Sequence, residues 1–140
     1  MFAIIFLFFL GLFYGNLLEY IIHRYIFHKM GRKKQSIFAY HLRGHHVLAR
    51  KNDFVDLTAS KVENWGLVLL MVVHLPFFWL SISFWLGINL YALLFKIMHG
   101  VQHRYPGFTK RWMKWHWDHH MSNPNENFGV VAPWADYIFG

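Results

Sequence analysis

The stretch at residues 64–95, NWGLVLLMVVHLPFFWLSISFWLGINLYALLF, decides the fold because it contains no Asp, Glu, Lys or Arg. It lies within a longer apolar run at residues 62–103. A bilayer core takes about 20 residues of helix, so this run is too long for one crossing and suits two. A helical hairpin is therefore predicted, with its turn somewhere in residues 80–89, where Ser, Gly and Asn collect. Pro76 is expected to kink or break the first arm.

A second apolar run, at residues 2–18, begins the chain, and its first charged residue is Glu19. Residues 1–28 are long enough to cross a bilayer as one helix. A cleaved signal peptide would show a basic start and a cleavage site between small residues, and this stretch has neither. Residues 1–28 are therefore predicted to form a retained transmembrane helix.

The composition agrees with a membrane location. Hydrophobic residues make up 56% of the chain and charged residues only 15%, whereas average domains carry about a quarter charged residues. The net charge is +7, but all Lys and Arg residues fall within residues 24–61 and 96–114. Basic segments beside long apolar runs follow the positive-inside rule, which argues against a nucleic-acid-binding protein. The chain has no Cys, which excludes disulfides, thiolate metal sites and a cysteine nucleophile.

These patterns predict an all-α, integral membrane protein with about three transmembrane or deeply inserted helices and a cytosolic, histidine-rich helical cap. Residues 1–140 are expected to form one domain: a transmembrane helix (1–28), a cytosolic segment (29–61), a helical hairpin (62–104) and a cytosolic cap (105–140). Three crossings would put the N-terminus outside and both basic segments in the cytoplasm. Within those segments, residues 35–48 and 110–121 are predicted to be interfacial or cytoplasmic helices.

Ten of the eleven histidines stand in four clusters near the predicted cytoplasmic face. The clusters are His23 and His28; His41, His45 and His46; His99 and His103; and His116, His119 and His120. Spacings of three or four place side chains on one helix face, as for the last three clusters. His23 and His28 are five apart and would diverge by about 140° on a regular α-helix, so they converge only if that helix is distorted.

Neutral imidazole is the commonest protein metal ligand and suits Zn, Cu, Fe and Ni. Ten imidazoles are too many for one ion and match two ions that share about ten ligands. The ten clustered histidines are therefore predicted to be metal ligands. His74 stands alone in an apolar run and is expected to have a packing or hydrogen-bonding role.

Several kinds of metalloprotein do not fit this pattern. The His-Glu-x-x-His string of zinc proteases is absent, haem needs only one or two axial ligands, and a transporter would carry ionisable residues through its membrane helices. Redox chemistry on an apolar substrate remains, with two iron ions and dioxygen attacking a C–H bond; no catalytic side chain is assigned beyond the metal centre. Zinc binds nitrogen sites more tightly than Fe²⁺ and is expected to compete for them during purification.

Five polar side chains near the clusters are candidates for holding the imidazole rings, although each is equally typical of a helix end or a turn. They are Glu19, Asp118, Asn123, Asn127 and Asp136.

The order and spacing of the histidine clusters resemble the fatty acid hydroxylase (sterol desaturase-like) superfamily, and within it the fatty acid 2-hydroxylase domain. The resemblance runs from Tyr20 to Gly140 and includes the tail that begins Asn127-Phe-Gly-Val and ends Asp136-Tyr-Ile-Phe-Gly. It differs in two places: three residues separate His41 from His45 where two are more usual, and Trp134 and Asp136 are shifted by one residue from the usual Trp-Asp pair. These differences leave hydroxylation and desaturation both open.

The resemblance implies a helical membrane fold, a histidine-rich dimetal site with the ten clustered histidines as ligands, and oxygen-dependent lipid hydroxylation. No part of this sequence resembles a cytochrome b5 domain, so we expect a separate electron donor, cytochrome b5-like or ferredoxin-like. An acidic donor would be attracted to the basic segments. A carotenoid or sterol hydroxylase, or a lipid desaturase, is the alternative within the superfamily. A non-catalytic metal-binding membrane protein is the alternative outside it.

Overall fold

The computed structural model describes residues 1–58 and 60–140, and all regular secondary structure in those residues is helical. The helices are α1 (Phe2–Ile21), π1 (Ile22–Met30), π2 (His41–His45), α2 (His46–Lys51), α3 (Lys61–Val73), α4 (Pro76–Leu80), α5 (Ile82–Arg104), α6 (Pro106–Trp112), α7 (Lys114–Met121) and α8 (Trp134–Phe139). Together they confirm the predicted all-α class.

Three stretches are long and apolar enough to cross a membrane: Phe2–Met30, Lys61–Leu80 and Ile82–Arg104. Many of their large apolar side chains point outwards; Phe6, Trp65 and Leu80 are 66%, 72% and 78% exposed. Exposing this much apolar surface is unfavourable in water but favourable in lipid. The structure therefore has the helices and the surface expected of an integral membrane protein.

Helices α1 and α5 pack closely because glycines meet where they cross. A Cβ atom on Gly11 would lie 2.3 Å from the carbonyl oxygen of Phe84, and one on Gly87 would lie 2.3 Å from that of Phe8. Small residues at membrane helix crossings let the two backbones approach each other. Gly87 therefore serves helix packing, although the sequence analysis placed it near the hairpin turn.

The predicted hairpin is interrupted at two places. Helix α3 ends at Val73 and α4 begins at Pro76, in agreement with the expected break. The turn between the arms lies at Ser81, whose extended backbone and side-chain hydrogen bond from the Phe84 N–H start α5. Ser83 and Asn89, also expected near the turn, are helical instead.

The part of the chain that lies beyond α5 forms a cap over the ends of the long helices. Helices α6 and α7 are short, and an irregular stretch follows before α8. This stretch passes beside the end of α1, where Tyr20, Phe128 and Ala135 form a small buried cluster. The cap therefore closes over the ends of α1 and α5, where the histidine clusters lie.

Candidate metal centre

The ten clustered histidines meet in one region of the structure. Nine of them are buried, with exposed fractions between 0% and 5%, and His99 is half-buried. They come from five helices in four separate parts of the chain. Buried polar rings of this number need partners inside the protein, because each unpaired ring nitrogen costs free energy.

The ring nitrogens form two compact groups. Within each group, one nitrogen from every ring lies within 4.8 Å of the corresponding nitrogens of the others. The first group is His23, His28, His41, His46 and His119, and the second is His45, His99, His103 and His120. Donor sets of five and four imidazoles are each suited to hold one transition-metal ion.

Two distorted helical segments create this grouping. Residues Ile22–Met30 and His41–His45 are π-helical, and a π-helix bonds residues five apart. His23 and His28, five apart, therefore fall in the same group, as do His41 and His46. The helix distortion that the sequence analysis required for His23 and His28 is present.

Hydrogen bonds at Nδ1 decide which ring nitrogen faces the centre. Nδ1 of His23, His103 and His119 donates to the carbonyl oxygens of Phe128 (2.5 Å), Phe54 (2.8 Å) and Glu126 (2.6 Å), respectively. A carbonyl oxygen only accepts, so the proton must reside on Nδ1 in each ring. Nε2 is then unprotonated and offers a lone pair.

Two carboxylates hold further rings in the same way. His45 Nδ1 donates to Asp56 at 2.7 Å, and His41 Nδ1 lies 3.4 Å from a carboxylate oxygen of Glu63. A carboxylate behind a ligand histidine is a common arrangement at metal sites, because it orients the ring and raises its basicity. One such carboxylate supports each group.

Nitrogens of different rings face each other within each group. The Nε2 atoms of His23 and His41 lie 2.9 Å apart, those of His28 and His119 3.0 Å, and those of His45 and His99 3.1 Å. Adjacent ligands around an octahedral ion with bonds of about 2.1 Å would be separated by about 3 Å. Two lone pairs at this distance repel unless a cation lies between them. The donor set therefore fits metal ions.

Burial keeps the histidines outside the long helices neutral, which is the form that binds metal. It lowers the pKa of His41, His46, His116 and His120 well below the usual 6.5 and that of His119 to about 4. Neighbouring histidines lower the pKa of all five further, because nearby positive charges would repel. For Asp56, burial alone would raise the pKa, but hydrogen bonds from His45 and Thr58 outweigh it and lower the pKa to about 2.

His116 lies beside the second group without joining it. Its ring centroid is 4.7 Å from that of His120 and 5.1 Å from that of His103. Its Nδ1 donates to the side-chain oxygen of Gln102, and its buried Nε2 has no hydrogen-bond partner among the described residues. His116 is therefore the one predicted ligand whose nitrogen is not gathered into either group.

A fatty acid hydroxylase family model matches residues 8–140. The chain belongs to the fatty acid hydroxylase family. It is 31% identical over 149 aligned positions to the ceramide very long chain fatty acid hydroxylase of Saccharomyces cerevisiae. The alignment covers 96% of this chain and 37% of that protein, so the chain spans little more than a third of its relative. No solved structure gives a significant match.

Residues 126–136, called here the C-terminal segment, support the histidine rings. Its carbonyl oxygens at Glu126 and Phe128 accept from histidine rings. A third carbonyl oxygen, that of Val130, accepts from the side-chain amide N–H of Gln102 at 3.0 Å. The side-chain oxygen of Gln102 in turn accepts from His116. Three rings of the centre are thus held by one irregular stretch of backbone.

Buried polar side chains of α1 and α5 bind this segment in turn. Glu19 accepts from the Val130 N–H (2.7 Å) and from the Tyr91 hydroxyl (2.6 Å). Asn16 donates to the Tyr91 hydroxyl (2.6 Å) and to the Ala132 carbonyl (2.8 Å). Asn16, Glu19 and Tyr91 therefore connect the membrane helices to the segment that orients the rings.

The five polar candidates from the sequence divide into two sets. Asp136 accepts from the Phe128 and Gly129 N–H groups at 2.7 and 2.8 Å, so it acts on His23 through the Phe128 backbone. Glu19 acts on His116 through Val130 and Gln102. The other three form no hydrogen bond to a histidine ring among the described residues: Asp118 pairs with Lys114 at 2.5 Å, Asn123 bonds within its own turn, and Asn127 has a left-handed backbone (φ 58°).

Sequence reasoning missed Asp56, Glu63 and Gln102, which contact the rings directly. The sequence position of Gln102 could have indicated its role, because it is an amide side chain in an apolar run directly before His103. His74 lies outside the centre: its Nδ1 donates to the Leu70 carbonyl at 2.7 Å, and its Nε2 accepts from the Tyr14 hydroxyl at 3.1 Å.

Two cavities reach the histidines from the side of the long helices. The first cavity has a volume of about 270 Å³ and lies between α1, α3 and α5. Its lining is mainly apolar, and it reaches His23 and Glu63. The second has a volume of about 170 Å³ and is polar, with His45, His99 and His103 in its wall. Glu63 lines both cavities.

Proposed function

We propose that this protein hydroxylates the acyl chain of a membrane lipid, using dioxygen at a dinuclear centre ligated by histidines. The observation that carries the proposal is the convergence of imidazole nitrogens into a group of five and a group of four. Membership of the fatty acid hydroxylase family supports the lipid substrate. The domain organisation proposed with it is a single membrane domain over residues 1–140.

Each histidine group would hold one ion, and the ten clustered histidines remain the proposed ligands, with His116 completing the second group. Iron bound there would supply the redox chemistry that acid–base side chains cannot, with dioxygen as co-substrate. The chain itself keeps the rings neutral by burial and orients them through Asp56, Glu63, Gln102 and the C-terminal segment. Zinc is expected to compete for the same nitrogens during purification.

The apolar cavity is the proposed site of the acyl chain. It passes between three long helices, and its walls carry side chains such as Leu18, Leu70 and Phe95. An alkyl chain gains about 0.8 kcal/mol for each methylene group that it buries in such surroundings. Because the cavity ends at His23, a chain lying in it presents a C–H bond to the first histidine group.

The reaction needs reactants from outside the chain. One C–H bond becomes C–OH, and the second oxygen atom of dioxygen leaves as water, which takes up two electrons and two protons. A separate electron donor, cytochrome b5-like or ferredoxin-like, would supply the electrons. An acidic donor suits the surface, because exposed lysines and arginines surround the buried centre in residues 29–61 and 105–140.

The proposed topology has the N-terminus outside and both the histidine centre and the C-terminus in the cytoplasm. Its basis is the charge distribution, since every Lys and Arg lies toward the end of the long helices that bears the histidines. The membrane concerned is a bacterial inner membrane or the endoplasmic reticulum.

The test is reconstitution in lipid nanodiscs with iron, a chemical or protein reductant, acyl lipids and ¹⁸O₂. Hydroxylation predicts a product that carries one ¹⁸O atom. A desaturated product without ¹⁸O would identify a desaturase, and selective turnover of a carotenoid or sterol would identify that branch. Tight zinc binding with no turnover of any lipid by the iron-loaded protein would overturn the proposal in favour of a metal-binding role.

A further inference from the structure

The polar cavity beside the second histidine group has a different chemistry from the apolar one. Hydroxyl, carboxylate and basic side chains line it together with three histidines. Apart from the histidines, its polar lining consists of Tyr40, Asp56, Thr58, Ser60, Glu63, Lys96 and Arg104. Glu63 lines both cavities; the apolar cavity has His23 of the first histidine group in its wall, and the polar cavity has three histidines of the second group.

The acidic groups of this cavity are already engaged. Asp56 accepts from His45 and from the Thr58 hydroxyl and N–H, and Glu63 lies against His41. Of the two basic groups, Lys96 donates to the Asn64 side chain at 2.6 Å. The Arg104 guanidinium forms no hydrogen bond or ion pair within residues 1–58 and 60–140. The groups of this cavity that remain free to bind a ligand are therefore mainly hydrogen-bond donors.

Helix α5 leaves room between these two basic residues. Lys96, Gly100 and Arg104 are spaced four apart and lie on one face of the helix. A Cβ atom on Gly100 would meet nothing within 4 Å. The cavity is thus open at its centre, with a positively charged side chain toward each end.

We infer that this cavity binds the polar head of the lipid substrate, through oxygen atoms that accept hydrogen bonds from Arg104 and Lys96. This inference rests on the proposed function. A molecule with an alkyl tail and an oxygen-rich head would fill the apolar and the polar cavity at once, and its chain would cross the histidine centre beside Glu63. A plain hydrocarbon would fill the first cavity and leave the donors of the second without partners, which is unfavourable.

The first experiment measures binding without turnover, by displacement of a fluorescent acyl lipid from metal-loaded protein in nanodiscs. The competing ligands share one acyl chain and differ in the head: a free carboxylate, a phosphate ester, a hydroxylated amide, or hydrogen in the corresponding alkane. Arg104→Met should weaken binding of the preferred head by about 10- to 100-fold, the usual range for a charge-assisted hydrogen bond, and leave binding of the alkane unchanged. Lys96→Met should act in the same direction.

The head that loses most affinity in Arg104→Met identifies the source of the acceptor oxygens. Lys61→Met is the matched control for lost charge, because Lys61 is exposed on α3 near Glu63 and lines neither cavity. It should change binding of no ligand in the series.

A second pair of variants tests the space itself. Gly100→Leu should weaken binding of every head-bearing lipid but not of the alkane, whereas Gly107→Leu, at another glycine with open space around it, should weaken neither. Equal affinity of all four ligands for wild-type protein, or no loss in Arg104→Met and Gly100→Leu, would overturn the inference. Continued ¹⁸O incorporation would then show that the proposed function stands without it.

Discussion

Gly66 offers a direct test of the apolar cavity as the binding site of the acyl chain. It lies on α3 one turn from Glu63 and lines the cavity of about 270 Å³. A Cβ atom placed on Gly66 would meet nothing within 4 Å, so a larger side chain enters open space and does not strain the fold. Gly66→Leu therefore narrows the cavity without moving the histidines.

The expected loss follows from the size of the new side chain. The four carbon atoms of leucine displace about four methylene groups of a bound chain, and each is worth about 0.8 kcal/mol. The loss is about 3 kcal/mol, or roughly two orders of magnitude in kcat/KM. It should be greatest for chains that extend well past Gly66 and small for chains too short to reach it, since those have fewer carbons to displace.

The assay is kcat/KM for a series of acyl lipids that differ only in chain length, with metal content measured on the same preparations. Gly107→Leu serves as the matched control, because Gly107 also has open space around it and lines neither cavity. The reasoning is refuted if Gly66→Leu keeps the wild-type rate and chain-length profile. It is equally refuted if both glycine variants lose activity to the same extent at every chain length.

Three further predictions concern the metal centre. Replacing His119 or His45 with Ala should abolish activity and lower the metal content, measured by elemental analysis. His74→Ala should leave the metal content nearly unchanged because His74 lies outside both groups. Full activity in both ligand variants would refute the assignment of His119 and His45 as ligands. Tyr91→Phe should lower metal affinity by up to about 10-fold and alter the spectrum of bound iron, since it removes the hydroxyl that holds Glu19 and Asn16, the two side chains that bind the C-terminal segment. Tyr14→Phe removes a comparable hydrogen bond, to His74, and should change neither the metal affinity nor the iron spectrum. Equal effects of Tyr91→Phe and Tyr14→Phe would mean that Tyr91 acts only through the stability of the protein. Removing the metal with a chelator should lower the melting temperature of the protein, because the facing Nε2 lone pairs then repel each other. Adding iron or zinc should restore the melting temperature. An unchanged melting temperature would count against metal ions between the rings.

The polar support of the rings could be predicted only in part. Glu19 and Asp136 were singled out because they lie near the clusters in sequence, and both act on the rings only through backbone groups of the C-terminal segment. Asp56 and Glu63 lie in a segment where nothing in the local pattern indicates a role. Which carboxylate reaches which ring depends on contacts between distant parts of the chain, such as the hydrogen bond between the Phe54 carbonyl and His103 of α5.

The sequence by itself determined the helical membrane class, because an uncharged run as long as residues 64–95 can satisfy its backbone in lipid only as helix. It also determined that the histidine clusters lie near one end of those helices, since each stands at the end of an apolar run or in a basic segment. Helix periodicity correctly placed His99 and His103 together.

Only the tertiary structure decided how the histidines divide. His41 and His45 fall in different groups although they are four apart, and so do the neighbours His119 and His120. The physical reason is that residue spacing describes one helix at a time, on the assumption of 3.6 residues per turn. A metal centre collects nitrogens from several helices, and the π-helical segments at Ile22–Met30 and His41–His45 change the spacing that brings residues to one face.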